Sequence, residues 1–177
     1  LIESPTGTGK TLALLCSTLS WQQHHILTPP VPAKTENCGR SSTKKMPKFK
    51  KIYFTSRTHS QIAQVVNALK RCPQFLVIGG VNTPVHSLKT TTLGSRQHYC
   101  VNPRVAKSTG GDLNEKCKSL VEKHQCEYRN SVKKLISATP PVWDIEDLVT
   151  PDAEVHGCPY YASRDMVDAA HIVFAPY

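Results

Sequence analysis

Residues 4–11, Ser-Pro-Thr-Gly-Thr-Gly-Lys-Thr, have the residue types and spacing of a phosphate-binding loop. Gly7 and Gly9 allow backbone N–H groups to turn towards an anion without hindrance from a Cβ atom. Lys10 can reach the β- and γ-phosphates of a nucleotide, and the Thr11 hydroxyl can bind Mg²⁺. The strict motif begins with glycine where this chain has serine, and a glycine turn without a ligand is the alternative interpretation. We predict that the nucleotide is bound by Ser4, Thr6, Gly7, Thr8, Gly9, Lys10 and Thr11, with Lys10 and Thr11 as the catalytic residues.

Four of the seven cysteines, Cys100, Cys117, Cys126 and Cys158, stand in the second half of the chain. An odd number of cysteines without a secretory signal indicates a reducing compartment, where clustered cysteines often bind metal. Their spacing matches neither a compact ferredoxin pattern nor the paired cysteines of common zinc ribbons. From the residues alone, an iron–sulfur cluster, a zinc site and four purely structural cysteines are all open. The zinc alternative could include the histidines that stand two residues before a cysteine: His98, His124 and His156.

The segment 52–56 has the composition of a strand, and its last residue begins a polar turn, Ser56-Arg57-Thr58-His59. In an open α/β sheet, ligands bind at the edge where the strands end. Hydroxyl groups, an arginine and a helix N-terminus at that edge can hold the phosphates of a nucleic acid. We therefore predict a DNA-contacting turn, with an ordinary polar strand–helix connection as the alternative.

The elements that must position these residues follow an alternating order. The phosphate loop opens a helix whose predicted apolar face is formed by Leu12, Leu15, Cys16 and Leu19. A second helix is predicted from His59 to about Arg71, a third from Pro159 to about Ala169, and a buried strand at 172–174. Residues 75–78 and 88–93 compete for a further strand. Strand, turn, helix, strand, helix and strand are typical of an α/β fold with a doubly wound parallel sheet.

The charge is distributed unevenly along the chain. The net charge is +9 overall, which suits a polyanionic partner. Residues 28–51 are rich in proline and lysine, so we predict a flexible basic insertion that could serve as a nuclear localisation signal. Residues 96–134 are also basic, whereas residues 140–177 are acidic. No run of 18 apolar residues occurs, so no membrane span is expected.

Five motifs in order carry a resemblance to a known family. They are residues 4–11, Ser-Arg-Thr-His-Ser-Gln at 56–61, Leu-Gly-Ser-Arg at 93–96, Trp-Asp-Ile-Glu-Asp-Leu at 143–148 and Cys-Pro-Tyr-Tyr at 158–161. Together they resemble the iron–sulfur DNA helicases of superfamily 2, the group typified by the xeroderma pigmentosum group D helicase. Residues 12–16, 21–23 and 114–117 are most similar to the Fanconi anaemia group J branch of that family. The telomere-elongation-regulator branch is the second candidate.

The resemblance implies a RecA-like P-loop domain with an inserted iron–sulfur domain. Residues 1–94 would form the first part of the ATP-binding domain, residues 95–160 the insertion, and residues 161–177 the return to the RecA-like sheet. The implied cofactors are ATP, Mg²⁺ and a [4Fe–4S] cluster held by Cys100, Cys117, Cys126 and Cys158. The implied activity is 5′→3′ movement on single-stranded and forked DNA, in DNA repair in the nucleus, with repair proteins as partners.

The chain begins without an initiator methionine, and the Asp-Glu-Ala-His box of the family is expected beyond Tyr177. Phosphoryl transfer needs a carboxylate on Mg²⁺ and usually an arginine finger. We therefore interpret the chain as a segment of a helicase that does not turn over ATP by itself. A different P-loop NTPase and a zinc-binding nucleic-acid module are the alternative functions.

Overall fold

A computed structural model describes residues 9–27, 50–72, 77–78, 86–150 and 155–177. In this part of the chain the main sheet has three parallel strands in the order β1–β5–β4. A separate antiparallel pair is formed by β2 and β3. The strands are β1 (Ile52–Ser56), β2 (Val77–Ile78), β3 (His86–Ser87), β4 (Thr90–Thr92) and β5 (Ile172–Pro176).

Two longer helices pack on the sheet, and the other seven described α-helices all lie between β4 and β5 in the chain. Helix α1 spans Lys10–Leu27 and helix α2 spans His59–Lys70. The remaining helices are α3 (Arg96–Tyr99), α4 (Pro103–Ala106), α5 (Gly110–Glu122), α6 (Glu127–Asn130), α7 (Val132–Ala138), α8 (Ile145–Val149) and α9 (Pro159–Asp165), which continues into a 3₁₀ helix at Met166–Ala169. Within the ranges described above, no helix combines the length and the apolar character that crossing a membrane requires.

The predicted α/β class and the parallel sheet are confirmed. The strand at 52–56, the helix that begins at His59 and the buried strand that begins at Ile172 are present as expected. Of the two segments that competed for a further strand, residues 88–93 contain β4 of the main sheet, whereas Val77–Ile78 pairs with β3 in the part of the chain that the structure describes.

The predicted apolar face of α1 is partly wrong. Leu15 and Leu19 are buried, but Leu12 is 41% exposed and Gln22 is fully buried instead. Gln22 can be buried because its Nε2 donates hydrogen bonds to the carbonyls of Lys50, at 2.6 Å, and His171, at 2.9 Å. These bonds join the C-terminal half of α1 to the segments that enter β1 and β5.

The described residues form two hydrophobic clusters. The first lies on the sheet and joins α1, α2 and the strands through Leu19, Val66 and Phe174. The second is built around Tyr99 and Trp143, both fully buried, and includes Ala162 of α9. The region 95–158 showed no strong periodicity, yet its short helices pack into this second cluster. The predicted boundary between residues 160 and 161 lies inside α9.

Candidate metal centre and nucleic-acid interface

The description of the phosphate loop begins at Gly9, so Ser4, Thr6, Gly7 and Thr8 lie outside the described residues. Gly9 has φ +77°, a left-handed conformation that glycine adopts without strain. Its carbonyl accepts the Ala13 N–H at 2.9 Å, which starts α1 directly after the glycine. Lys10 and Thr11 are exposed in the first turn. Their roles in nucleotide binding stay predictions.

The polar turn 56–59 lies at the C-terminal end of β1, and its four side chains have different environments. The Thr58 hydroxyl caps α2 by accepting the Gln61 N–H at 3.2 Å, and Ser56 donates to the Gln61 side chain at 2.7 Å. Arg57 is exposed. Two of the hydroxyls therefore order the start of the helix, while the guanidinium of Arg57 faces solvent at the edge of the sheet.

His59 faces other protein side chains. Its ring centre lies 4.5 Å from that of His98, and its Nδ1 is buried without a hydrogen-bond partner. Burial lowers the pKa of His59, the neighbouring His98 lowers it further, and Glu146 opposes them. The imidazole is therefore mainly uncharged at neutral pH, which is poorly suited to a phosphate contact.

The four cysteines Cys100, Cys117, Cys126 and Cys158 line one cavity, which we call the cysteine cavity. Cys100 directly follows α3, Cys117 lies within α5, and Cys126 and Cys158 directly precede α6 and α9. The cavity measures about 20 Å³. Its remaining lining is mainly apolar or aromatic: Val101, Asn102, Val105, Leu120, Val121, Tyr128 and Tyr161. The fold therefore brings together four thiols that lie far apart in the sequence.

Burial controls the protonation of two of these thiols. It raises the pKa of Cys158 to about 11, although the backbone groups of Tyr161 and Tyr160 act in the opposite direction. Burial also raises the pKa of Cys100, against an opposing backbone hydrogen bond at Asn102. Without a cation both groups are neutral thiols near pH 7, since desolvation disfavours the thiolate.

The donor set of the cysteine cavity suits a soft metal. Thiolates select zinc and iron–sulfur clusters over hard cations. The Asn102 amide Nδ2 donates to Cys126 Sγ at 3.6 Å, a contact typical of the groups that orient metal ligands. Nowhere in the described ranges are three His, Cys, Asp or Glu side chains already arranged to hold a metal ion. A cluster therefore requires the four thiols and the lining around them to move.

The three histidines of the zinc alternative do not line the cysteine cavity. His98 packs on His59, His124 is exposed with φ +55°, and the exposed His156 lies near Tyr128. Of the His, Cys, Asp and Glu side chains in the described residues, the four cysteines alone therefore line the cavity.

Sequence reasoning missed a group of arginine–tyrosine contacts beside the cavity. The guanidinium carbons of Arg96 and Arg164 lie 4.2 Å and 3.5 Å from the centre of the Tyr160 ring. Arg129 lies 4.4 Å from the ring centre of Tyr161. The Arg96 contact joins α3 to α9 and the Arg129 contact joins α6 to α9, whereas Arg164 and Tyr160 both lie in α9. The segments 93–96 and 158–161 stood out only as motifs of the resemblance, and their mutual contact was not predicted.

Comparison with known proteins identifies the family. The DEAD_2 family profile matches residues 54–177. The chain belongs to the DEAD_2 family. Its relatives include the regulator of telomere elongation helicase 1 homolog of Anopheles gambiae, 34% identical over 203 residues that cover 100% of this chain and 19% of the relative. The homolog of Caenorhabditis elegans is 36% identical, covering 99% of this chain and 18% of the relative. Regulator of telomere elongation helicase 1 of Homo sapiens is 34% identical, covering 100% and 15%.

This DEAD_2 chain thus spans about a fifth or less of the length of these relatives. The names of these relatives favour the telomere-elongation-regulator branch, which was the second candidate from the sequence. The preference for the Fanconi anaemia group J branch is therefore corrected. It rested on short segments of α1 and α5, whereas the alignments to the telomere-elongation regulators cover the whole chain.

Proposed function

We propose that this chain is a segment of an ATP-dependent DNA helicase that acts in genome maintenance. The convergence of the four cysteines on one cavity, beside a parallel sheet whose edge carries Arg57, carries this proposal. Membership of the DEAD_2 family and the names of the relatives support it. The intact protein would move 5′→3′ on single-stranded and forked DNA in the nucleus.

Nucleotide binding is assigned to the phosphate loop and the start of α1. The N-terminus of a helix presents free N–H groups and the positive end of the helix dipole to an anion. Gly9 brings the backbone into position, Lys10 supplies a positive charge to the phosphates, and Thr11 supplies a hydroxyl for Mg²⁺. The exposure of Lys10 and Thr11 supports this role, since a nucleotide must reach them.

DNA binding is assigned to the turn 56–59 and to the basic region around the cysteine cavity. Arg57 is the turn residue best suited to a phosphate contact, because its charge is exposed at the carboxyl edge of the sheet. Ser56 and Thr58 shape the turn through their bonds to Gln61. The basic side chains of 96–134 add a sequence-independent attraction to the DNA backbone.

We assign Cys100, Cys117, Cys126 and Cys158 as the ligands of a [4Fe–4S] cluster. When bound, the cluster supplies a rigid covalent link between the segments that carry the four cysteines. The chain's own residues hold α3 beside α9 through Arg96, Tyr160 and Arg164. In this proposal the predicted insertion, residues 95–160, acts as a stiff element against the DNA fork and takes no part in electron transfer.

The deciding experiment uses the full-length protein, purified without oxygen. We expect iron and sulfide in the ratio of a [4Fe–4S] cluster, and ATP-dependent unwinding of forked DNA. Cys100→Ser should lose iron and unwinding and retain ATP binding. The matched control is Cys72→Ser, because Cys72 is a half-buried free cysteine that does not line the cavity. Stoichiometric zinc without iron would reject the cluster, and a wild-type protein that binds DNA but never unwinds it would reject the helicase.

A further inference from the structure

Gly94, between β4 and α3, is a point of close packing. A Cβ atom added at Gly94 would lie 2.9 Å from Cε2 of Tyr99 and 3.1 Å from Cε1 of His59. The backbone carbonyl of Gly94 also accepts a hydrogen bond from Arg164 at 3.1 Å. Any side chain larger than hydrogen must therefore displace one of these two rings.

The Tyr99 ring is firmly held on one side of Gly94. It is fully buried, and its hydroxyl donates to the carbonyl of Thr92 at 2.5 Å. Tyr99 is the last residue of α3, and the next residue, Cys100, bonds back to the Arg96 carbonyl at 2.8 Å. A displacement of Tyr99 therefore moves the segment that brings Cys100 to the cysteine cavity.

The His59 ring occupies the other side. It contacts His98 of α3, with 4.5 Å between ring centres, and it is the first residue of α2. Its backbone follows Thr58, which caps the helix. A displacement of the His59 ring therefore moves the start of α2 and, with it, the turn that carries Arg57.

We propose that His59 is a positioning residue that joins the DNA-contacting turn to α3, so that a shift of α3 changes the affinity of the turn for DNA. This inference rests on the proposed function, since it takes Arg57 as a DNA contact. The joint consists of His59, Gly94, His98 and Tyr99. It couples the cysteine cavity to the DNA-contacting edge of the sheet through side-chain packing, and His59 itself does not bind the nucleic acid.

The first test separates positioning from direct contact in the full-length protein. We compare His59→Ala with His59→Leu, measuring the dissociation constant for a fluorescent single-stranded oligonucleotide by anisotropy at constant salt. His59→Ala removes the packing against α3 and should weaken binding about five-fold, within the range of coupling energies between packed sites. His59→Leu keeps an apolar side chain of similar size and should stay within about two-fold of wild type. Equal losses in both variants would mean that the imidazole binds DNA directly, which would overturn the proposal.

The second test changes Gly94, the residue that packs against both rings. Gly94→Ala should weaken DNA binding about five-fold, because the new methyl group pushes on Tyr99 and His59. The matched control is Gly111→Ala in α5, where an added Cβ meets no atom within 4 Å. We expect the control to bind DNA as wild type does. Thermal unfolding of each variant shows whether it is folded, and if Gly94→Ala does not fold, the His59 pair decides the proposal.

The double variant His59→Ala/Gly94→Ala tests whether the residues act as one unit. If they do, the double variant should bind DNA about as well as either single variant, because the first substitution already removes the packing that the second would disturb. If the two losses multiply, the residues act independently and the proposal is wrong. A wild-type protein that does not bind single-stranded DNA would instead contradict the proposed function, so the two failures are distinguishable.

Discussion

The guanidinium of Arg164 lies 3.5 Å from the centre of the Tyr160 ring, four residues earlier in α9. Arg164 also donates hydrogen bonds to the carbonyls of Tyr160 and Gly94, both at 3.1 Å. One half-buried side chain therefore connects the helix after Cys158 with the segment before α3. This connection runs from α9 to the segment that follows β4.

Arg164→Leu should lower the free energy of unfolding by about 1–2 kcal/mol, because it removes a cation–π contact and two hydrogen bonds. Urea unfolding followed by circular dichroism measures the loss. The control is Arg71→Leu, since Arg71 is exposed at the end of α2. Equal losses in the two variants would show that the Arg164 contacts contribute nothing specific.

Lys10→Ala should abolish ATP hydrolysis and unwinding in the full-length protein while leaving it folded. Lys10 is exposed in the first turn of α1, so its removal should not disturb the core. Steady-state phosphate release measures turnover, and circular dichroism monitors folding. Lys89→Ala is the control, because Lys89 is another exposed lysine and lies outside the basic region 96–134. Unchanged turnover in a folded Lys10→Ala protein would reject the phosphate-loop assignment.

Arg57→Ala should weaken binding of single-stranded DNA equally for all sequences. The loss of one phosphate contact should also make the plot of log affinity against log salt concentration shallower by about one unit. Arg71→Ala is a matched control, because Arg57 precedes α2, Arg71 follows it, and both are exposed. If Arg57→Ala binds DNA normally and loses affinity for ATP, the residue belongs to the nucleotide site.

The partly buried position of His59 predicts a pH dependence of stability. Burial and His98 lower its pKa below the ordinary value of 6.5, so the unfolded chain takes up a proton at a higher pH than the folded one. The free energy of unfolding should therefore decrease as the pH falls below about 6.5. Chemical unfolding of wild type and His59→Leu between about pH 8 and pH 5 compares the slopes. The variant should show the weaker dependence, and identical slopes would contradict the assignment of this proton to His59.

The parts of the fold that sequence predicts well are those with a local signal. Residues 52–56 are rich in β-branched and aromatic side chains, and the apolar spacing of α2 reproduces its buried residues Ile62, Val65, Val66 and Leu69. The prediction for Leu12 was wrong because burial of α1 depends on which face meets the sheet. Gln22 takes the place of an apolar residue only because two carbonyls, from Lys50 and His171, are within reach.

The sequence singled out the four cysteines that line the cysteine cavity, but it did not predict how the cavity is formed. The four cysteines could be selected from the residue count and the family resemblance. Their cavity depends on short helices that have no periodic signal, such as α6 with four residues. The contact between His59 and His98 joins segments far apart in the chain, and no local pattern indicates such a pair.

The central position of β5 has a consequence for the order of folding during synthesis. β5 pairs with both β1 and β4, yet it is made after the entire cysteine region. At about 5–20 residues per second, the ribosome needs about 4–16 seconds to make the segment between β4 and β5. During this interval β1 and β4 lack the strand that joins them, and the cysteine region can begin to pack its own core. Until β5 is made, the edges of β1 and β4 that it covers are open to aggregation.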